Sequence, residues 1–344
     1  MQRTVVEWAP YRLQFKFEAR TSRETMRVKD TYLVRASRQG KVAYGECALF
    51  RGLSSDDVPD YEAELSRWCS KPEDIANCPH SSIRFGIETA LLNLDDNGRE
   101  SWEKASHGIP INGLIWMGDK ATMALRIREK LDDGFNVLKL KIGGINFHDE
   151  LDLLRLIRTH FGPADLEIRL DANGSFSAQD ALRRLEALAA FSVHSIEQPV
   201  KAGQPEVMRS ICMRSPVPVA LDEELIGTCD LPAKESLLTL IRPQYIILKP
   251  ALCGGMSGAS EWVAAARGSG IPYWFTSALE SNIGLDAIAR AAIENGVDMP
   301  QGLGTGELYH NNIASPIVRR GARLYYNDDL KWVIPQLNWH TNVL

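Results

Sequence analysis

The sequence has no continuous apolar segment long enough to cross a membrane, and its first 20 residues lack the apolar core of a signal peptide. It also lacks a basic run: 39 Lys and Arg stand against 44 Asp and Glu, for a net charge of −5. This balance argues against nucleic acid and anionic membranes as partners. The six cysteines form no Cys-x-x-Cys pair, which argues against a zinc ribbon. We expect a cytoplasmic protein with free thiols.

Two different patterns are present instead. Residues 1–50 alternate between polar and apolar, as strands do, and apolar residues at helical spacing follow at 58–69 and 81–97. From residue 109 onward, short apolar runs alternate with amphipathic helical stretches, a pattern typical of βα units with a parallel sheet. The strand candidates there are 109–116, 136–142, 166–171, 193–197, 217–222, 244–249, 271–276 and 300–304.

Eight strands in about 200 residues predict an α/β fold, a modified (β/α) barrel of the TIM type. We assign residues 106–306 to this barrel and residues 1–105 to an α+β capping domain. Residues 307–344 form a C-terminal segment that is expected to return to the capping domain. Within it, the stretch ARLYYNDDLKWVI predicts a hairpin that turns at Asn327–Asp328.

Charged residues close five consecutive strand candidates. From the second strand to the sixth, these residues are Lys141, Asp171, Glu197, Asp222 and Lys249. They are separated by 25 to 30 residues, about one βα unit each. Because the active sites of such barrels lie at the carboxyl ends of the strands, the order predicts a ring of three acids between two lysines.

The stretch VLKLKIGG, residues 137–144, places two lysines in an otherwise apolar strand. Residues two apart on a strand share a face, so Lys139 and Lys141 are both expected to point into the barrel. A buried ammonium group is costly without a partner, and nearby cations lower the pKa of a lysine toward a value useful for a base. Three carboxylates on adjacent strands suit Mg²⁺, with Mn²⁺ as the alternative.

Each of these residues also has a structural explanation. A single acid at a strand end is often a helix cap or a surface group. Lys249 stands before a proline, and a lysine in that position is often a solvated loop residue. Glu223 competes with Asp222 for the third acidic position, although strand alternation favours Asp222 inward and Glu223 outward. The occurrence of all five charged residues in this order, one on each successive strand, favours a catalytic role over these separate structural explanations.

Five short motifs carry a resemblance to a known family. They are KLK at 139–141, DAN at 171–173, EQP at 197–199, DEE at 222–224 and LKP at 248–250. With them the chain resembles the enolase superfamily, and its paired lysines resemble the muconate-lactonizing-enzyme-like subgroup. The resemblance implies that Mg²⁺ binds to Asp171, Glu197 and Asp222. It also implies that Lys141 and Lys249 are catalytic.

The same resemblance implies supporting roles for Lys139, Asn173 and Glu223. IPINGLIWMG at 109–118 and TSALESNIG at 276–284 resemble the members that dehydrate 2-succinyl-6-hydroxy-2,4-cyclohexadiene-1-carboxylate to 2-succinylbenzoate in menaquinone biosynthesis. In that reaction Lys141 would remove the proton α to the carboxylate and return it to the departing hydroxyl. Lys249 would remain a cation on the opposite face.

Two loops of the capping domain, 19–25 and 47–54, are expected to close over a small carboxylate substrate. Arg20, Arg51 and Ser277 are the candidate substrate-binding residues, and Phe50 and Leu53 are the candidate apolar lid. Three other functions stay open at this point. They are racemisation of N-succinylamino acids or epimerisation of dipeptides, Schiff-base aldol chemistry on a lysine, and a barrel without catalytic activity.

Overall fold

The structure is a computed structural model that describes residues 3–20, 25–96, 98–296 and 298–341, with the backbone alone for Arg20. An antiparallel sheet and three helices come first, a ring of parallel strands and helices follows, and a short sheet and an extended segment end the chain. Within the described ranges, no helix has both the length and the apolar character that a membrane span requires.

The N-terminal sheet consists of β1 (Val5–Arg20), β2 (Thr25–Arg38) and β3 (Lys41–Cys47), paired antiparallel in that order. Helices α1 (Tyr61–Cys69) and α2 (Ser81–Asp95) bury their apolar faces against this sheet in one hydrophobic cluster. Alternation along β2 and helical spacing along α2 predicted these two kinds of element, because each has one face to bury.

The barrel elements follow in the alternating order that the sequence predicts. After α3 (Arg99–Lys104) and β4 (Ile109–Pro110), they are β5 (Gly113–Ile115), α4 (Lys120–Asp132), β6 (Val137–Lys141), α5 (Phe147–His160), β7 (Glu167–Asp171), α6 (Ala181–Ala189), β8 (Ser195–Glu197), α7 (Pro205–Arg214), β9 (Val219–Leu221), α8 (Leu231–Ile241), β10 (Tyr245–Leu248), α9 (Gly255–Gly268), β11 (Tyr273–Phe275) and α10 (Asn282–Glu294). Strands β5 to β11 form one parallel sheet in sequence order.

The first and eighth strand candidates differ from the prediction. Stretch 109–116 divides into β4 and β5, which belong to different sheets. Stretch 300–304 forms no strand; instead Gln301 bridges to Ile111 and Gly302 bridges to Thr276. These two single bridges join the sheet edges at β5 and β11, so the ring closes through a segment too short to count as a strand.

The core of the barrel unit lies between the strands and the helices. Leu138, Leu140 and Ile142 are all buried in the large hydrophobic cluster that contains helix residues such as Leu153 and Leu185. The alternation of β6 therefore turns its leucines toward the helices, and its lysines take the inner face.

The C-terminal segment contains β12 (Ile317–Arg320) and β13 (Arg323–Tyr326), and β13 also pairs with β4. The hairpin turns at residues 321–322, where Gly321, with a φ of 56°, supplies the left-handed turn conformation. The prediction of a hairpin at Asn327–Asp328 was therefore wrong, although the chain does turn there, with the N–H of Leu330 donating to the carbonyl oxygen of Asn327 at 3.1 Å. Beyond it, the ring of His340 stacks on Trp8 of β1 at 4.3 Å. The tail therefore lies against the N-terminal sheet.

Helix α2 crosses β3 at Gly45 with almost no space between their backbones. A Cβ atom at Gly45 would lie 2.0 Å from the carbonyl oxygen of Gly86. We expect Gly45→Ala to lower the free energy of unfolding by about 2 kcal/mol, because the helix must move away. Gly268→Ala, at the open end of α9, is the matched control and should change it by less than about 0.5 kcal/mol. Urea denaturation of both variants measures this, and equal stabilities would contradict the close approach.

Candidate active site

Three of the predicted residues lie side by side at the carboxyl ends of adjacent strands. Lys141 of β6 is in register with Asp171 of β7, which is in register with Glu197 of β8. Asp222 directly follows β9 and Lys249 directly follows β10. Because β6 and β10 are four places apart in a ring of seven strands and one closing segment, the two lysines approach the mouth from opposite sides.

The lysines and acids are joined in one buried network. Lys139 Nζ lies 3.0 Å from Asp171 Oδ2 and also contacts Glu197 Oε2. Lys249 Nζ contacts Asp222 Oδ2 and lies 3.4 Å from Glu197 Oε1. The three carboxylate side chains are at most 3% exposed, so each is compensated by ammonium groups rather than by water.

Lys141 has a different environment from the other two lysines. Its Nζ donates to Asp171 Oδ2 at 3.1 Å and to Asn173 Oδ1 at 2.8 Å, and it lies 5.6 Å from the centre of the Trp116 ring. A neutral lysine amine keeps two N–H groups, and these two acceptors would satisfy both of them. The lone pair of a neutral Lys141 would then be left for a proton from a substrate.

Burial and charge shift the pKa values of the network in opposite directions. Burial and the neighbouring Asp171 raise the pKa of Glu197 to about 7. Burial would also raise the pKa of Asp171, but Lys139 and Lys141 outweigh it and hold that pKa well below its ordinary value. Burial would lower the pKa of Lys249, but Asp222 and Glu197 outweigh it and raise that pKa strongly. Lys249 is therefore held as a cation.

A cavity of about 340 Å³ opens above this network. Part of its charged or polar lining lies on the ring strands or just after their carboxyl ends: Lys139, Lys141, Asp171, Asn173, Glu223 and Lys249. Its apolar lining includes the expected lid residues together with side chains near β5 and β11: Phe50, Leu53, Leu114, Trp116 and Leu279. Such a cavity suits a small molecule with a charged end and an apolar body.

The structure corrects the prediction that Glu223 points outward. Strand β9 ends at Leu221, and residues 223–225 form a 3₁₀ turn, so strand alternation does not apply to the acids after it. Glu223 lines the cavity, and its Oε1 accepts a hydrogen bond of 3.1 Å from Asn173 Nδ2. Glu224 is structural, because its Oε1 accepts the backbone N–H of Gly203.

The three substrate-binding candidates fare differently. The side chain of Arg20 and all of residues 21–24 lie outside the described residues. Arg51 lines the cavity, and its guanidinium lies 2.6 Å from Asp57 Oδ1. Ser277 also lines the cavity, but its Oγ donates to Glu280 Oε2 at 2.5 Å and accepts the N–H of Leu279 at 3.0 Å. These bonds occupy the Ser277 hydroxyl within its own loop.

Sequence reasoning missed a set of neutral polar groups in the cavity wall. Asn112 Oδ1, Trp116 Nε1, Thr276 Oγ1 and Thr305 Oγ1 are buried and have no hydrogen-bond partner in the described part of the chain. They lie beside β5, after β11 and in the closing segment. In the sequence, only their places near strand ends could have pointed to them. Asn and Thr are common at such places without any function, so this alone does not predict a site.

The three acids do not form a preassembled metal site. Across the described ranges, no three His, Cys, Asp or Glu side chains are arranged as a metal-binding cluster. Asp171, Glu197 and Asp222 direct oxygens at lysines instead. The chemistry of the set nevertheless fits a hard divalent cation, because its three side chains are buried carboxylates that share neighbouring lysines. Binding requires lysine ammonium groups to withdraw from these oxygens.

Comparison with known proteins gives the family. The family model described as enolase C-terminal domain-like matches residues 122–325. This chain belongs to the enolase superfamily. This confirms the resemblance that the five sequence motifs carry. The prediction of a TIM-type barrel with an N-terminal cap is also confirmed.

Three of the similar proteins are informative. The chain is 42% identical to the o-succinylbenzoate synthase of Desulfotalea psychrophila, over 91% of this chain and 96% of that protein. The crystal structure of MenC from the same organism superposes with a TM-score of 0.81 at 39% identity, covering 94% of this chain and 99% of that one. A dipeptide epimerase of Enterococcus faecalis complexed with Mg and L-Leu-L-Tyr gives a TM-score of 0.83 at 19% identity, with 95% and 97% covered; it shows the fold alone.

The ion pairs of Lys139 predict a large stability effect. Lys139→Met would leave two buried carboxylates without their nearest cation, so we expect the free energy of unfolding to fall by about 3 kcal/mol or more in EDTA. The matched control is Lys41→Met on an exposed position of β3, which should cost less than about 0.5 kcal/mol. Chemical denaturation of both variants provides the comparison. A Lys139→Met protein as stable as the control would mean that the network is not buried as described.

Proposed function

We propose that the chain catalyses the reaction of an o-succinylbenzoate synthase. It dehydrates 2-succinyl-6-hydroxy-2,4-cyclohexadiene-1-carboxylate to 2-succinylbenzoate and is thus a carbon–oxygen lyase of menaquinone biosynthesis. The observation that carries this proposal is the 42% identity to a synthase of that name over 91% of the chain. The cavity, with two lysines on opposite sides and an apolar wall, is consistent with a carboxylate on a six-membered ring.

Lys141 is assigned the proton transfers. In its neutral form its amine would take the proton α to the substrate carboxylate, while Asp171 and Asn173 fix its position through their two hydrogen bonds. The same amine, now protonated, would deliver the proton to the departing hydroxyl. One residue can serve both steps if the proton and the hydroxyl leave from the same face of the ring.

Lys249 is assigned an electrostatic role. While Asp222 and Glu197 contact its ammonium group, they raise the pKa of Lys249 and favour the protonated form over a free base. A fixed cation on the face opposite Lys141 stabilises negative charge that develops when the proton is removed.

Asp171, Glu197 and Asp222 are assigned to bind Mg²⁺, with Mn²⁺ as a substitute. The ion supplies Lewis-acid stabilisation of charge on the substrate carboxylate. Lys139 keeps Asp171 and Glu197 close together, and Asn173 and Glu223 connect Lys141 to the next strands through hydrogen bonds.

Racemisation of N-succinylamino acids or epimerisation of dipeptides is the alternative from the same superfamily, because it needs a base on each face. The raised pKa of Lys249, while Asp222 and Glu197 contact it, disfavours this lysine as a second base. It also disfavours a Schiff base on Lys249, which needs a neutral amine. A barrel without catalytic activity would have no reason to keep three buried ammonium groups beside one cavity.

The decisive activity test follows the aromatic product by ultraviolet absorbance. We expect turnover of the cyclohexadiene substrate in Mg²⁺, loss of turnover in EDTA, and recovery when Mg²⁺ or Mn²⁺ is restored. N-succinylamino acids and dipeptides are the parallel substrates, followed by polarimetry. Racemisation without dehydration would overturn the proposal in favour of the alternative.

Lys141→Arg separates proton transfer from charge. A guanidinium keeps the positive charge but does not give up its proton at neutral pH. We expect kcat to fall by about 10²–10⁴-fold, the usual contribution of a general base. Binding of 2-succinylbenzoate, measured by quenching of tryptophan fluorescence, should persist. Substantial residual turnover in this variant would remove Lys141 from the role of base.

A further inference from the structure

Loop 276–281, between β11 and α10, forms part of the cavity wall, and its backbone is strained. Leu279 lines the cavity with a φ of 69°, a left-handed conformation that is unfavourable for leucine. Residues held in this way cost about 1–3 kcal/mol and persist only where their surroundings fix them. The contacts of Leu279 therefore show which residues hold this part of the cavity wall in its conformation.

Two hydrogen bonds hold the backbone of Leu279, one at its N–H group and one at its carbonyl oxygen. The N–H of Leu279 donates to Ser277 Oγ at 3.0 Å, and its carbonyl oxygen accepts from the hydroxyl of Tyr309 at 2.7 Å. Ser277 Oγ in turn donates to Glu280 Oε2 at 2.5 Å. Glu280 is fully buried and does not line the cavity, so its contact with the substrate would be indirect.

The N-terminal sheet holds the next residue of the loop. Both carboxylate oxygens of Glu46 on β3 accept from the N–H of Ser281, and Oε2 also accepts from Ser281 Oγ and from the N–H of Gly284. Glu46 thus caps the N-terminus of α10 from the neighbouring sheet. The buried Lys29 of β2 provides positive charge to both Glu46 and Glu280.

The side chain of Leu279 lies where three parts of the chain meet. It shares a hydrophobic cluster with Leu13 and Phe15 of β1, with Trp116 after β5, and with Tyr309. Phe50, Leu114 and Trp116 from the same cluster also line the cavity. The apolar wall of the cavity is therefore one face of the contact between the N-terminal sheet and the barrel.

We propose that Glu280 is a positioning residue that, through Ser277, holds Leu279 as the apolar wall against the body of the substrate. The inference rests on the proposed function for the identity of that substrate. It assigns Leu279 to substrate selection and gives Glu280 and Glu46 the task of keeping the wall in place. Neither glutamate touches the reacting atoms.

Glu280→Met deletes the acceptor of the Ser277 hydroxyl and keeps the side-chain length. We expect KM for the cyclohexadiene substrate to rise about tenfold while kcat stays within about twofold, because the wall contributes to binding and not to proton transfer. Glu280→Gln keeps an acceptor and should restore part of the loss, to about a threefold rise in KM. Glu235→Gln, on an exposed position of α8, is the matched control and should leave both constants unchanged.

Hydrogen exchange followed by mass spectrometry reads the loop without any reaction. Peptides that contain residues 276–281 should exchange faster in Glu280→Met than in wild type and in the control, because the N–H groups of Leu279 and Glu280 lose the fixed Ser277 acceptor. If the wild-type protein lacks dehydratase activity, the proposed function fails. Faster exchange in Glu280→Met would still support the positioning of Leu279 by Glu280 through Ser277.

Ser277→Ala deletes the hydroxyl that joins Glu280 to Leu279. It is the second variant to test if Glu280→Met does not fold. It should raise KM and loop exchange in the same way. The inference is overturned if the folded variant keeps wild-type KM and wild-type exchange in residues 276–281. It is also overturned if kcat falls as much as kcat/KM, since that pattern belongs to a residue acting on the transition state.

Discussion

An ammonium group and a carboxylate can both be buried only when each compensates the other, and this constraint organises the mouth of the barrel. Lys139 and Lys249 bind Asp171, Glu197 and Asp222 so closely that no carboxylate depends on water. The backbone positions this network, because its members lie on, or directly after, five successive strands of one parallel sheet. The same arrangement leaves Lys141 at the edge, bonded to Asp171 and Asn173 and facing the cavity.

The N-terminal sheet completes what the barrel alone leaves open. The loop after β3 supplies Phe50 and Leu53 to the cavity, and Glu46 of β3 caps the helix that follows loop 276–281. The C-terminal segment adds Tyr309, whose hydroxyl holds the carbonyl of Leu279. Charge at the mouth thus comes from the strands of the barrel, while the apolar wall depends on contacts between separate parts of the chain.

The sequence was sufficient for the charged ring because strand alternation and regular spacing place such residues without knowledge of side-chain packing. It was insufficient where a strand ended: Glu223 turned into the cavity because a 3₁₀ turn replaced the alternation. The closing segment at 300–304 was too short to form a strand, and bridging by Gln301 and Gly302 depends on edges far apart in sequence. The wall around Leu279 could not be predicted for the same reason, since its partners Glu280, Ser277 and Tyr309 are ordinary residues until the fold brings them together.

The proposed chemistry requires the three buried carboxylates to exchange their lysine partners for a divalent cation. A crystal structure with Mn²⁺ and 2-succinylbenzoate, with the metal located by anomalous scattering, tests it most directly. We expect one metal peak in contact with Asp171, Glu197 and Asp222, and the product between Lys141 and Lys249. A metal peak elsewhere, or product bound while Lys139 and Lys249 keep all their present carboxylate contacts, would contradict it.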